Sequence, residues 1–200
     1  MKNEKKKETT TNKRKEMFCI MKKIICLVGP SGAGKTAICE WLLKNNNLFA
    51  KVKTATTRSP RPNETENAYY FLSKENFEEK INTGKFLEFS EYAGEFYGTP
   101  TSSVDDIIAS QKVAIVPIDI RGAKAYKDFY KDDVSVVFVY RDKKAIIEAI
   151  IERDIPSSEK SKRILQLDKE FENISLCDRC VINNRSLADA GKQINEIVSA

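Results

Sequence analysis

The chain has 200 residues, 41% hydrophobic and 32% charged, with a formal net charge of +5; that length allows one domain with inserted subdomains and a core of its own. Residues 1–16 hold seven Lys/Arg and three Glu, which leaves 27 basic and 26 acidic residues for the rest. A basic tail on a neutral body argues against a nucleic-acid-binding domain, and no apolar run approaches the ~20 residues that span a bilayer.

Residues 1–20 read as a disordered, basic N-terminal extension, rich in Lys, Glu, Thr and Asn and without apolar periodicity. Met17 to Ile20 is too short an apolar stretch for a secretory signal. Cys19, Cys26, Cys39, Cys177 and Cys180 are scattered, and Cys26 and Cys39 fall in apolar segments, as suits buried thiols in a reducing cytoplasm. Cys177-x-x-Cys180 has no second pair and the chain has no histidine, so a closed zinc site is not expected.

The first buried strand is Ile24–Val28, followed by Gly29-Pro30-Ser31-Gly32-Ala33-Gly34-Lys35-Thr36 and a helix over Ala37–Lys44. Strand, G-x-x-x-x-G-K-[ST] and helix in that order make a phosphate-binding loop. Glycines let backbone N–H groups turn inward around phosphate oxygens, and the helix directs its positive end at the same anion. Lys35 would reach the β- and γ-phosphates and the Thr36 hydroxyl would offer a ligand to Mg²⁺. The stretch is a nucleoside triphosphate site, with ATP and Mg²⁺ as the expected pair.

Further along, Val52–Thr56 reads as a short strand leading into a polar, proline-punctuated loop over 57–67. Ser73 caps a predicted helix over Lys74–Asn82 that Gly84 ends, and Phe86–Phe89 reads as extended. A helix is expected over Pro100–Gln111, a buried strand over Val113–Ile118, a helix over Gly122–Tyr130 and a second buried strand over Val134–Tyr140. Then follow a helix over Ala145–Arg153, a polar break over Asp154–Ser161, a helix over Lys162–Ser175, a short strand Val181–Ile182 and a closing helix over Leu187–Val198. Apolar strands alternating with amphipathic helices imply an α/β fold, a parallel sheet covered on both faces. The polar, aromatic stretch from Thr54 to about Gly98 breaks that rhythm and reads as an inserted substrate-binding subdomain.

Within that insertion, Arg58 and Arg61 flank Pro60 and are followed by Glu64, Tyr69 and Tyr70. Arginine forks match phosphate geometry and tyrosine hydroxyls donate to the same oxygens, so the group reads as an anion clamp; a solvated polar loop is the alternative.

Thr56-Thr57-Arg58-Ser59-Pro60-Arg61, Tyr69-Tyr70-Phe71, Gly84-Lys85-Phe86-Leu87-Glu88 and Phe96-Tyr97-Gly98-Thr99, read in order, resemble the guanylate kinase family. The resemblance runs from about Lys22 to the C-terminus. It implies a P-loop kinase core (21–53 and 100–200), a GMP-binding insertion (about 54–99) and a lid (about 153–163). It implies that Arg58, Arg61, Tyr69 and Tyr97 bind the GMP phosphate and that Thr54, Glu88 and Thr99 face the guanine. A carboxylate at 88 suits that role, because it accepts from guanine's N1–H and exocyclic amine together, a donor pair that adenine lacks. Ile118-Asp119-Ile120-Arg121-Gly122 resembles the family's motif at the end of a core strand, which puts Asp119 at the acceptor as well. Pro117 and Arg121 depart from the family pattern there, in the region where metal is handled.

The lid is the sparser match. Arg153 and Arg163 correspond to family arginines, another expected near Ala149 is absent, and Lys160 and Lys162 offer only point charges. The resemblance implies transfer from ATP to GMP, with Lys35, Arg58, Arg153 and Arg163 carrying the chemistry. A kinase of another phosphorylated acceptor, or a non-catalytic protein-binding module of the same fold, are the alternatives, and intact Lys35 speaks against the module. Neither a monomer nor a homodimer is preferred.

Overall fold

Five consecutive apolar residues, Ile24–Val28, form the strand β1, and every one is buried. In the computed structural model, which describes residues 22–60, 69–92 and 94–199, this strand is the centre of the molecule. The N-terminal extension, Arg61 and Glu64 lie outside the described residues. In chain order the elements after β1 are α1 (Lys35–Asn45), β2 (Phe49–Lys51), β3 (Ala55–Thr56), β4 (Tyr70–Phe71), α2 (Lys74–Asn82), β5 (Phe86–Tyr92), β6 (Glu95–Pro100) and α3 (Thr101–Ala109). They continue with β7 (Val113–Pro117), α4 (Ile120–Tyr130), β8 (Val134–Tyr140), α5 (Lys143–Ile151), α6 (Ser157–Leu165), α7 (Leu167–Glu172), β9 (Arg179–Ile182) and α8 (Leu187–Ser199).

The main sheet runs β2-β7-β1-β8-β9 with every pair parallel. Its central strands β7, β1 and β8 are almost wholly apolar and buried rather than alternating, as a sheet covered on both faces requires, while the edge strands β2 and β9 carry Lys51 and Arg179. Ile25 and Leu27 of β1 point into a core with Ile38 and Leu42 of α1, Ile146 and Ile150 of α5, and Ile194 of α8. Ile24, Cys26 and Val28 point the other way, against Val104 of α3 and Ala123 and Tyr126 of α4. Helices therefore cover both faces, as expected, and the carboxyl ends of β7, β1 and β8 lie side by side, where an α/β sheet binds its ligands.

A second, smaller sheet runs β4-β3-β6-β5, with β5 and β6 as an antiparallel hairpin and β3 antiparallel to β6. Phe77 of α2 is fully buried beneath it and stacks on Phe86 at 4.3 Å and Phe96 at 5.5 Å between ring centroids. The Ser73 hydroxyl accepts from the Asn76 N–H at 3.2 Å and Gly84 adopts φ +64° just past the helix, so both predicted ends of α2 hold.

Three expectations are corrected. Val52–Thr56 is not one strand: the ladder of the main sheet ends with the Val52 N–H on the Ile115 carbonyl, and the second sheet begins at Ala55. A single run serves two sheets because Val52 is held in the main core while the Thr54 carbonyl accepts from Tyr70. The polar break at 154–161 is shorter than expected, since α6 starts at Ser157 behind Pro156, whose fixed φ suits a helix start. The helix expected over 162–175 breaks at Gln166, which turns Leu167 into the core and leaves Leu165 83% exposed. The strand β6 was not foreseen at all, because Gly98 and Pro100 give it the composition of a turn.

Candidate active site

The phosphate loop is built by the collision of β1 with α1. Gly29, Gly32 and Gly34 have φ of 137°, 91° and 95°. Gly34 caps α1 in the left-handed region, where a Cβ would lie 2.4 Å from the Asn183 Nδ2. At Gly29 a Cβ would meet the Val139 carbonyl oxygen at 2.7 Å. Pro30 and Ala33 are buried, and the Ala33 N–H closes a turn on the Pro30 carbonyl at 3.1 Å.

Lys35 opens α1 and folds its ammonium back onto the Gly29 and Pro30 carbonyls, at 2.5 and 3.0 Å. Its pKa is lowered from 10.5 to about 8, mainly by burial, with Glu170 opposing the fall and Arg153 and Arg163 adding to it. Thr36 is exposed and lines the same cleft as Lys35, a space of about 410 Å³ that also includes Gly34, Arg141, Ala149 and Arg153.

The two arginines expected on a lid meet at one atom. Arg153 donates to the Ser31 hydroxyl oxygen at 3.1 Å and Arg163 donates to it at 2.5 Å. Arg163 is itself held by Glu159 one helical turn before it. The Ser31 N–H donates to a Glu170 carboxylate oxygen at 3.2 Å, so α7 also reaches the loop. Lys160 is spent on the Ile151 carbonyl at 2.7 Å, at the end of α5, rather than on the loop.

A second cleft of about 650 Å³ opens between the smaller sheet and α4. Thr54, Tyr69, Glu88, Tyr97, Thr99 and Asp119 all line it, although 64 residues of chain lie between the first and the last. Sheet register brings them together: Thr56 stands opposite Tyr97, and Glu88 opposite Thr99. The buried Thr99 hydroxyl donates to Glu88 Oε1 at 2.6 Å. Burial raises the Glu88 carboxyl above the ordinary glutamate value of 4.5, the Thr99 hydrogen bond works against that rise, and the Asp119 charge adds to it.

Arg58 is not among the residues lining this cleft. Its guanidinium lies at the cleft's edge, 5.3 Å from the centre of the Tyr69 ring, with Nη1 donating to the Ser59 carbonyl at 2.8 Å. Asp119 caps α4 by accepting from the Gly122 N–H at 2.8 Å, and it lines a further space shared with Gly29 and Glu170. It therefore stands between this second cleft and the phosphate loop. Pro117 ends β7 without breaking the ladder, because the next N–H, of Ile118, reaches the Leu27 carbonyl at 3.0 Å.

Three groups at the loop escaped sequence reasoning. Arg141 donates to the Gly32 carbonyl at 3.0 Å, Asn183 donates to the Ala33 carbonyl at 2.8 Å, and Glu170 accepts from Ser31. Arg141 and Asn183 each follow a strand of the main sheet, the usual place for ligand contacts, and that position was the only available signal.

The family model described as guanylate kinase matches residues 21–200. A guanylate kinase of Clostridium tetani is 37% identical over 179 residues, covering 88% of this chain and 85% of that protein. One of Prochlorococcus marinus is 36% identical over 180 residues, covering 88% and 97%. The crystal structure of guanylate kinase from Anaplasma phagocytophilum superposes with a TM-score of 0.66 at 22% identity, over 88% of this chain and 84% of that one, which establishes the shared fold. A model match over the whole described domain, together with relatives more than one-third identical across it, places the chain in the guanylate kinase family.

Proposed function

We propose that this protein transfers the γ-phosphoryl group of ATP to GMP, giving ADP and GDP. One observation carries the reading: a carboxylate fixed by a buried threonine, Glu88 on Thr99, floors a cleft that Asp119 joins to a phosphate loop with its lysine in place. Family membership supports the same activity.

The acceptor needs no general base. A phosphate monoester has a second pKa near ~6, so its attacking oxygen is ionised at neutral pH, and a chain without histidine is no obstacle. The protein's task is to hold two polyanions in line and neutralise charge in the transition state. In this reading Arg58, Arg61, Tyr69 and Tyr97 take the acceptor phosphate, while Thr54, Glu88 and Thr99 take the guanine. Lys35 and the loop N–H groups hold the β- and γ-phosphates. Arg153 and Arg163, now on Ser31, transfer to the phosphoryl group in flight.

Mg²⁺ takes one or two protein oxygens and fills its shell with phosphate oxygens and water. The exposed Thr36 hydroxyl, on the wall of the cleft that holds Lys35, is a donor of that class. When bound, the ion neutralises the β- and γ-oxygens.

The test is ADP release with ATP and Mg²⁺ against GMP, dGMP, AMP, UMP and no acceptor. Turnover confined to the guanine acceptors is expected, and Lys35→Ala should abolish it. An equal rate with AMP would overturn the role of Glu88.

A further inference from the structure

We infer that Arg141 is a donor-nucleotide-binding residue, which engages the α- and β-phosphates from the flank of the loop opposite the acceptor. The inference rests on reading Gly29–Thr36 as the ATP site.

Geometry sets which flank is which. The acceptor-side cleft reaches the loop through Asp119 and Gly29, so the γ-phosphate must face that way. The rest of the nucleotide then leaves across the first turn of α1, past Gly34 and Thr36, into the cleft that Arg141 lines. The charged residues lining that cleft are Lys35, Arg141 and Arg153; none of its lining residues is acidic. By contrast, the space on the acceptor side is mixed, with Asp119 and Glu170 offsetting Arg121 and Lys169. A flank with three cations and no acid, facing one whose charges cancel, fits a polyanion with a fixed direction of entry.

Arg141 follows the last residue of β8, next to β1, so rigid sheet rather than mobile loop carries it to the site. One N–H of its guanidinium is used on the Gly32 carbonyl. A guanidinium has five N–H donors in a planar fork, and the remainder are enough for a bidentate phosphate contact without releasing the loop. Across the cleft stands Ala149, whose methyl group leaves the space open and adds no competing charge. Arg141 thus braces the loop and extends its cationic surface toward the α-phosphate, a combination that neither lysine nor glutamine reproduces.

The experiment measures ADP binding by calorimetry, together with the KM for ATP and for GMP, in the unsubstituted protein, R141A, R141Q and R141K, with folding checked by thermal melting. ADP carries the α- and β-phosphates without the γ, and R141Q keeps a donor for Gly32 without the charge. A charge-assisted hydrogen bond of this kind corresponds to about tenfold or more in affinity. R141A and R141Q should weaken ADP and ATP equally by that factor, leave the GMP KM within about twofold, and R141K should recover part of the loss. ADP binding unchanged in R141A overturns the inference, as does full recovery in R141Q, which would reduce Arg141 to a brace. Loss of ATP but not ADP would assign it to the γ-phosphate instead and refute the stated flank. Should the protein bind ADP but fail to use GMP, the acceptor reading falls while the Arg141 result still stands or falls on its own.

Discussion

Thr99 donates its hydroxyl hydrogen to Glu88 Oε1 at 2.6 Å, across the antiparallel pair in which the two residues face each other. The bond favours the ionised carboxylate against burial and against the neighbouring Asp119, both of which raise the Glu88 pKa. A raised pKa in the folded state has a definite sign. The folded chain binds the proton more tightly than the unfolded one, so the contribution to stability is present at low pH and is lost as pH rises through the folded-state value. At neutral pH the ionised Glu88 is therefore a cost, one that the proposed guanine recognition would explain. Glu88→Gln should raise the melting temperature at pH 7 while raising the GMP KM by about 10–100-fold, since a buried charge-assisted pair of hydrogen bonds is lost. A lower melting temperature with GMP kinetics unchanged would show Glu88 to be a structural residue.

Lys35 gives a pH dependence of the opposite kind. Burial has lowered its pKa to about 8, so the nucleotide-free protein begins to release that proton just above neutrality. A bound polyphosphate raises the pKa again, and between the two values binding takes up a proton. ADP affinity should be level below pH 8 and fall by about tenfold per unit above it, with calorimetry in buffers of different ionisation enthalpy showing proton uptake at pH 8.5 and little at pH 7. For the free protein the same shift means that stability grows as pH rises from about 8 toward 10.5, because the unfolded chain still holds the proton there. Lys35→Met should accordingly stabilise the free protein at pH 7 and remove nucleotide binding. Proton uptake equal at both pH values would refute the lowered pKa.

The difference between these two residues also explains what was legible in the sequence. Lys35 sits in eight consecutive residues whose chemistry is local: glycines with positive φ, a lysine opening a helix, an apolar strand before it. Glu88, Thr99, Tyr97 and Thr54 carry no local signal, because β5, β6 and β3 assemble them by pairing residues far apart in the chain. Only resemblance to a family pointed to them. The core strands β7 and β8 were legible as apolar runs, whereas β6 was hidden by its glycine and proline, and the split between β2 and β3 depends on which sheet claims the chain. Arg141 and Asn183 carry no local signal either, for the reason that holds for Glu88 and Thr99: their partners, the Gly32 and Ala33 carbonyls, are set by tertiary contact.

Arg153 and Arg163 share the Ser31 hydroxyl, and Glu170 holds the N–H of the same residue, so the chain after α5 rests on the loop through Ser31. Transfer of those arginines to the phosphoryl group would leave ground-state binding largely to Lys35 and the loop. Arg163→Ala should therefore lower kcat by about 100-fold, with the KM for each substrate changed several-fold at most, as for other groups that meet charge only in the transition state. Ser31→Ala removes the resting contact but not the arginines, and should leave kcat within about threefold. A large loss of kcat in Ser31→Ala, matching that of Arg163→Ala, would mean that the Ser31 contact itself is what matters.

The far end of α1 tests the packing that carries Lys35. Gly191 of α8 lies beneath the Trp41 indole, where an added Cβ would come within 2.2 Å of Trp41 Cζ3. Alanine is the better helix former by about 1 kcal/mol, but overpacking a rigid ring against a helix backbone costs about 1–3 kcal/mol, so the clash decides the sign. Gly191→Ala should lower the melting temperature by up to about 8 °C, from a net loss of up to about 2 kcal/mol in a domain of this size. Trp41→Leu in the same chain would open room for the methyl group, so the double variant should recover part of the loss, a coupling expected only of residues in contact. Because Lys35 sits at the opposite end of α1, the KM for ATP should stay within about twofold in Gly191→Ala at 25 °C. A melting temperature that rises in Gly191→Ala would show that α1 and α8 separate freely and that the Trp41 contact does not hold α1 in place.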